Sequence, residues 1–328
     1  MTRLASADRH RTMLCSAMGA DVAAALADPH VIEIMVNPDG ALWLDRLGEG
    51  RVDTQVQMPP EQVDRIVRLV ASHARAEVHG DAPIISAELP PHIQGGAGER
   101  FEGLLPPVAP APCFAIRKPA SRIYRLGDYV RDGMMSEAIA DRLATAITDR
   151  RNILIAGGTS SGKTTLANAL LAEMGDRDER IVLIEDTREL QCPARDTVAL
   201  RTRAGHVTMT DLVRSTLRLR PDRIIVGEVR GGEALDMLKA WNTGHPGGIT
   251  TVHANGSLAA LHRIEQLVLE VAVNVPRALI AEAIELIVFI SGRGAGRRIS
   301  SLAQVVGVDP DGGYGLLELI TATDIQGD

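Results

Sequence analysis

The chain has 328 residues, 45% hydrophobic and 23% charged, a balance that suits folded globular structure and carries too much apolar material for a disordered chain. Its 35 basic and 42 acidic side chains leave a net charge of -7, and aromatics make up 2%, so bulk attraction to a phosphate backbone and base-stacking platforms are both missing; direct nucleic-acid binding is not expected. Cys15, Cys113 and Cys192 lie far apart with no C-x-x-C pair, which disfavours a disulfide framework or a zinc site.

There is no run of 18 apolar residues, and the start, MTRLASADRHRTM, lacks the apolar core of a signal peptide, so the expectation is a cytoplasmic chain with at most peripheral membrane contact. The length accommodates two domains. A short helix is expected over 21–27, then strands over 31–36 and 42–44 joined by the turn Asn37-Pro38-Asp39-Gly40. Pro60 and Glu61 open a helix to about His73, in which Val63, Ile66, Val67 and Val70 recur on one face. PIISAEL, RFEGLLPP and CFAIRKP then read as strands broken by glycine and proline. Residues 1–118 are thus expected to form an α+β N-terminal domain with a largely antiparallel sheet.

The polar stretch 119–135 reads as an irregular linker, and Ser136 as the N-cap of a helix carrying Ile139, Leu143, Ala146 and Ile147 inward. Strands at 153–156, 181–184, 224–226 and 249–252 alternate with helices from Lys163, around 211–217 and from Glu233. That alternation over 136–328 predicts an α/β domain with a parallel sheet covered on both faces, and the segments IVFI, AQVVGV and GLLEL read as strands and a hairpin added at its edge.

The chemistry is most explicit at Gly157-Gly158-Thr159-Ser160-Ser161-Gly162-Lys163-Thr164-Thr165, which satisfies the phosphate-loop pattern between a strand and a helix. Glycines allow the backbone amides to wrap around phosphates at the positive end of the following helix. Lys163 adds a charge at the β and γ phosphates, and Thr164 offers a hydroxyl to Mg²⁺. ATP with Mg²⁺ is the expected ligand.

Such a loop requires an acid near the metal, and Glu185-Asp186 after IVLI and Glu228 after IIVG both stand at strand ends. Glu228 could hold the metal's water or orient the attacking one, or simply pair with Arg230 or Arg223. Glu185 and Asp186 could assist the metal or cap the next turn. His253 follows ITTV on the same edge and could contact the γ phosphate; His245, in Gly-His-Pro-Gly-Gly, is the weaker candidate.

In order along the chain, GGTSSGKTT, LIEDTREL, RLRPDRIIVGEVRGGEAL and GHPGGITTVHAN closely resemble the Walker A, aspartate-box, Walker B and histidine-box segments of the type II and type IV secretion ATPases, conjugal-transfer ATPases above all. EIMVNPDGALWLD, SAELPP and AIRKPAS resemble the family's N-terminal segments. The resemblance implies a homohexameric ring, a RecA-like P-loop C-terminal domain, and inner-membrane components of a secretion or conjugation machine as partners. By it, Glu228 activates water, Glu185 and Asp186 assist at the metal, His253 senses phosphate, and Arg100 and Arg117 approach the phosphates. A pilus assembly or retraction motor, a RecA-type nucleic-acid motor and a nucleotide-dependent scaffold are the competing readings.

Overall fold

The computed structural model describes residues 2–321 apart from 91–97, 120–122, 176 and 204. The chain divides into two units, Met1–Ser121 and Arg122–Asp328. The first begins with α1 (Thr2–Ala27), a helix interrupted at Gly19, whose φ of +82° and ψ of 175° no helix accommodates. The helical segment before Gly19 was not expected from the sequence. β1 (Val31–Val36) and β2 (Ala41–Arg46) form the predicted hairpin, followed by β3 (Gly50–Gln57), which the sequence reading passed over because its alternating residues are mostly polar. α2 (Pro60–Ala74) buries Val63, Ile66, Val67 and Val70, as its 3.6-residue spacing dictates.

β4 (Ile84–Glu88), β5 (Arg100–Leu104) and β6 (Cys113–Arg117) complete an antiparallel sheet in the order β3-β2-β1-β6-β5-β4. Ile34, Ile66, Val67, Phe101 and Ile116 are fully enclosed between sheet and helices, with Phe101 stacked on Phe114 at 5.3 Å.

In the second unit the stretch read as an irregular linker holds α3 (Leu126–Arg131). Its polar residues lie outside while Leu126 and Tyr129 join the core, and Asp128 accepts from the Arg125 amide to start the helix. α4 (Glu137–Thr148) begins at Ser136, whose hydroxyl oxygen accepts from the Ile139 amide at 3.4 Å. β7 (Ile153–Gly157), α5 (Lys163–Ala172), β8 (Arg180–Glu185), β9 (Asp196–Arg201), α6 (Met209–Thr216), β10 (Arg223–Val226), α7 (Glu233–Asn242), β11 (Ile249–His253), α8 (Ser257–Leu269), α9 (Arg277–Ala283) and β12 (Leu286–Ser291) follow. β13 (Arg298–Val308) and β14 (Tyr314–Thr321) close the described chain.

Among the described residues the sheet runs β14-β13-β12-β7-β11-β10-β8-β9, parallel from β12 to β9. β12 lies inside the sheet beside β7, whereas the sequence reading placed it at the edge; the antiparallel β13–β14 pair does form that edge. Strand residues alternate between two cores. Ile153, Ile155, Ile181 and Leu183 meet α4 and α5, while Leu154, Ala156, Val182 and Ile184 meet the layer of α6 to α9. Burial on both faces explains why these strands read as unbroken apolar runs.

Parallel strands deliver their C-terminal ends to one edge, which collects the residues after β7, β8, β10 and β11. Register makes this specific: His253 on β11 sits opposite Gly157 on β7, and Ile290 on β12 is opposite Gly157 on the other side.

Candidate active site

The phosphate loop leaves β7 at Gly157 and enters α5 at Lys163. Ser160 adopts a positive φ of 60°, and Gly162 one of +94°, so the bend into the helix falls where only glycine is free of strain. The Ser161 hydroxyl donates to the Gly158 carbonyl at 2.9 Å and pins the loop from inside, while Gly158, Thr159 and Ser160 are exposed at its tip. Thr164 and Thr165 are half-buried in the first turn of α5. The N-terminal amides of α5 thus end beneath an open loop, an arrangement suited to anions.

Lys163 is nearly buried, at 7% exposure, and its ammonium donates to the carbonyls of Gly157 at 3.1 Å and Gly158 at 3.0 Å. It also lies 3.2 Å from Nδ1 of His253. An ammonium can only donate, so Nδ1 is the acceptor and the ring proton sits on Nε2. That nitrogen is 2.9 Å from Glu228 Oε1, and Glu228 Oε2 accepts from Arg230 at 2.7 Å. A chain of contacts therefore runs Lys163, His253, Glu228, Arg230.

The His253–Glu228 contact is close without the alignment of a hydrogen bond, leaving buried Oε1 with no hydrogen-bond partner among the described residues. The His253 pKa is lowered from its ordinary value by burial first and by the Lys163 ammonium second, with Glu228 opposing. A neutral ring at neutral pH agrees with the tautomer that the contacts require.

Glu228 pairs with Arg230, one of the two arginine partners that the sequence allows it. The other, Arg223, is fully buried and bound instead to Glu179, at 2.6 Å, and to the Ile147 carbonyl.

Glu185 is buried with Oε1 accepting from the amides of Glu189, at 2.9 Å, and Leu190, at 2.8 Å. Burial pushes its pKa up to about 7, with those two amides pulling it down. Asp186 is exposed and accepts from the Thr202 hydroxyl at 2.9 Å. The next turn is fastened to α5 by Asn168, whose amide nitrogen donates to the Glu189 carbonyl and whose oxygen accepts from Gln191 N. Asn168 went unnoticed in the sequence because it lies within an otherwise apolar helical run.

His245 bonds the Pro221 carbonyl at 2.9 Å and stays with its turn. Arg100 and Arg117 belong to the first unit, on β5 and β6.

Two arginines that sequence reasoning did not assign to the site line it. Arg230 braces Glu228, and Arg297 donates to the Ser160 carbonyl at 3.4 Å. A glycine-rich run rich in arginine, GRGAGRR, was the available signal for Arg297. Among the described residues no three His, Cys, Asp or Glu side chains gather as a metal cage.

The chain matches the model of the type II/IV secretion system protein family over residues 52–291. It is 48% identical to conjugal transfer protein TrbB of Rhizobium radiobacter over 94% of each chain. Against type IV secretion system protein PtlH of Bordetella pertussis the identity is 34%, covering 84% of this chain and 90% of the relative. The solved structure of the pilus retraction motor PilT with bound ADP shares the fold, with a TM-score of 0.63 at 19% identity over 93% of this chain and 84% of that one. The family match, joined to a phosphate loop backed by Lys163, His253 and Glu228, means that the chain belongs to the type II/IV secretion system protein family and is an ATPase.

Proposed function

We propose that the protein hydrolyses ATP on a RecA-like domain and uses the energy to drive a conjugal type IV secretion apparatus from its cytoplasmic side, as a homohexameric ring docked on inner-membrane components. The observation that carries the catalytic part is the contact chain from Lys163 through His253 to Glu228 under the phosphate loop. The 48% identity to a conjugal transfer protein favours conjugation over a pilus motor, whose solved example shares only the fold. Among the described residues no helix is long and apolar enough to cross a membrane.

In this reading the loop amides and Lys163 hold the phosphates, and Glu228 Oε1 orients the attacking water and draws its proton as the water oxygen bonds to the γ phosphorus. The bond from that phosphorus to the bridging oxygen breaks, giving ADP and phosphate. Mg²⁺, held by Thr164 and Asp186, would neutralise phosphate charge. Arg100 and Arg117 supply further positive charge to the transferring group, and Glu185 shapes the turn that presents Asp186. Different affinities for ATP and ADP in two conformations would convert hydrolysis to motion.

The test is turnover and mass in solution, with and without ATP, for the full chain in the presence of lipid vesicles or DNA. ATP-dependent turnover by a ring supports the proposal. Hydrolysis that requires DNA would point instead to a nucleic-acid motor, and binding without turnover under every condition to a scaffold.

A further inference from the structure

Because β12 pairs in parallel with β7 as far as Ile290 opposite Gly157, the turn that follows β12 emerges beside the phosphate loop. That turn ends at Arg297. The Arg297 guanidinium sits against the loop: a Cβ placed on Gly162 would come within 2.9 Å of its Nε and 3.0 Å of its Cζ. Its Nη2 donates to the Ser160 carbonyl at 3.4 Å, across the same bend.

The guanidinium is held in place without being used up. Its Nε is buried and has no hydrogen-bond partner among the described residues, and the same holds for the hydroxyl of Tyr129, whose ring is 1% exposed. Tyr129 is close enough to Arg297 for the cation to oppose the effect of burial on the phenol. A permanent positive charge thus rests against the two residues whose backbone angles shape the loop.

We propose that Arg297 is a positioning residue of the phosphate loop: by holding the Ser160 carbonyl and filling the space beside Gly162, it keeps the loop amides turned toward the phosphates and tightens nucleotide binding. The inference rests on the reading of this loop as the ATP site. Its effect belongs to binding, because Arg297 acts on the shape of the loop, which substrate and transition state share. Loss of such an interaction raises KM and leaves kcat nearly unchanged.

The test uses the full chain and measures the Kd of Mg·ATP, KM, kcat and the thermal midpoint without nucleotide. Arg297→Ala should weaken Kd and raise KM by about tenfold, with kcat within about threefold of the parent and the midpoint within a few degrees. Arg297→Lys, which keeps the charge and loses the planar fork, should fall between the two. Arg298→Ala, on the adjacent exposed arginine, should bind as the parent does.

Parental Kd and KM in Arg297→Ala overturn the proposal, as does an equal loss in Arg298→Ala, which would make the effect one of general charge. A fall in kcat and midpoint with KM unchanged overturns it too, leaving a structural role. If Arg297→Ala does not fold, parental values in Arg297→Lys overturn it. Lys163→Ala separates the two readings: normal ATP binding by that variant rejects the loop as the nucleotide site, whereas its loss of binding beside a parental Arg297→Ala rejects only the role of Arg297.

Discussion

Arg100 on β5 and Arg117 on β6 are directly paired in register, flanked across the sheet by Glu88 on one side and Glu33 on the other. Like charges directly opposed on a sheet destabilise it, by up to about 1 kcal/mol. Among the described residues neither arginine has an ion pair, so both keep their donors. Replacing either with alanine should therefore leave the thermal midpoint near that of the parent while lowering turnover at least about tenfold. Mixed with Lys163→Ala, either variant should recover activity if the arginine serves a neighbour's site in a ring. Near-parental turnover from both would remove the first unit from catalysis.

Lys163 is held by the Gly157 and Gly158 carbonyls and by His253, yet it contributes no apolar core. Lys163→Ala is expected to abolish turnover and weaken ATP binding by at least about a hundredfold with the fold retained, as read by nucleotide titration beside circular dichroism.

Glu228→Gln preserves shape but cannot accept a proton. Single-turnover measurements should show ATP bound with near-parental affinity and the chemical step slowed by about 10² to 10⁴. Loss of binding instead would assign Glu228 to nucleotide or metal retention.

His253 titrates below its ordinary value of 6.5 because of burial and Lys163. A depressed base favours its neutral form in the folded state, so the stability it contributes is full above about pH 6.5 and is lost as pH falls toward its folded pKa. His253→Gln keeps an acceptor for Lys163 but cannot charge. Its midpoint should match the parent at pH 8 and exceed it by roughly 1–3 °C at pH 5.5, a small gain because the half-exposed ring is screened by solvent. A parallel fall of both proteins from pH 8 to 5.5 would rule out this titration.

Arg223 is buried at the opposite ends of the strands, bound to Glu179, which Arg150 also reaches at 2.7 Å. Arg223→Leu leaves Glu179 poorly compensated and should cost about 3–5 kcal/mol in urea unfolding. Adding Glu179→Gln should restore part of that loss, since the uncompensated charge is then gone. Full stability of the single variant would contradict the pairing.

Much of the second unit's plan was legible because its signals are local. The unbroken apolar runs of β7, β8 and β10 mark strands buried on both faces, and GGTSSGKTT specifies its own loop and the helix start at Lys163. β9 was missed because it is an outer strand of mixed polarity, and α3 because it is only six residues long in a segment punctuated by Arg125, Asp128, Arg131 and Asp132. Strand order was not legible in the same way: IVFI reads alike at an edge or beside β7, and only pairing with residues more than a hundred positions away settles its place.

The sequence by itself determined the chemical inventory of the candidate site: the loop, Lys163, the acids Glu185, Asp186 and Glu228, and His253 near strand ends. The tertiary structure decided which of them face one another. It gave Arg230 rather than Arg223 to Glu228, turned the Glu185 carboxyl onto the amides of Glu189 and Leu190, and set Arg297 against Gly162 from a turn more than a hundred residues away. The physical reason is that residue type and local periodicity fix what a side chain can do, whereas its partner is chosen by register and by crossovers that bring distant strand ends to the same edge.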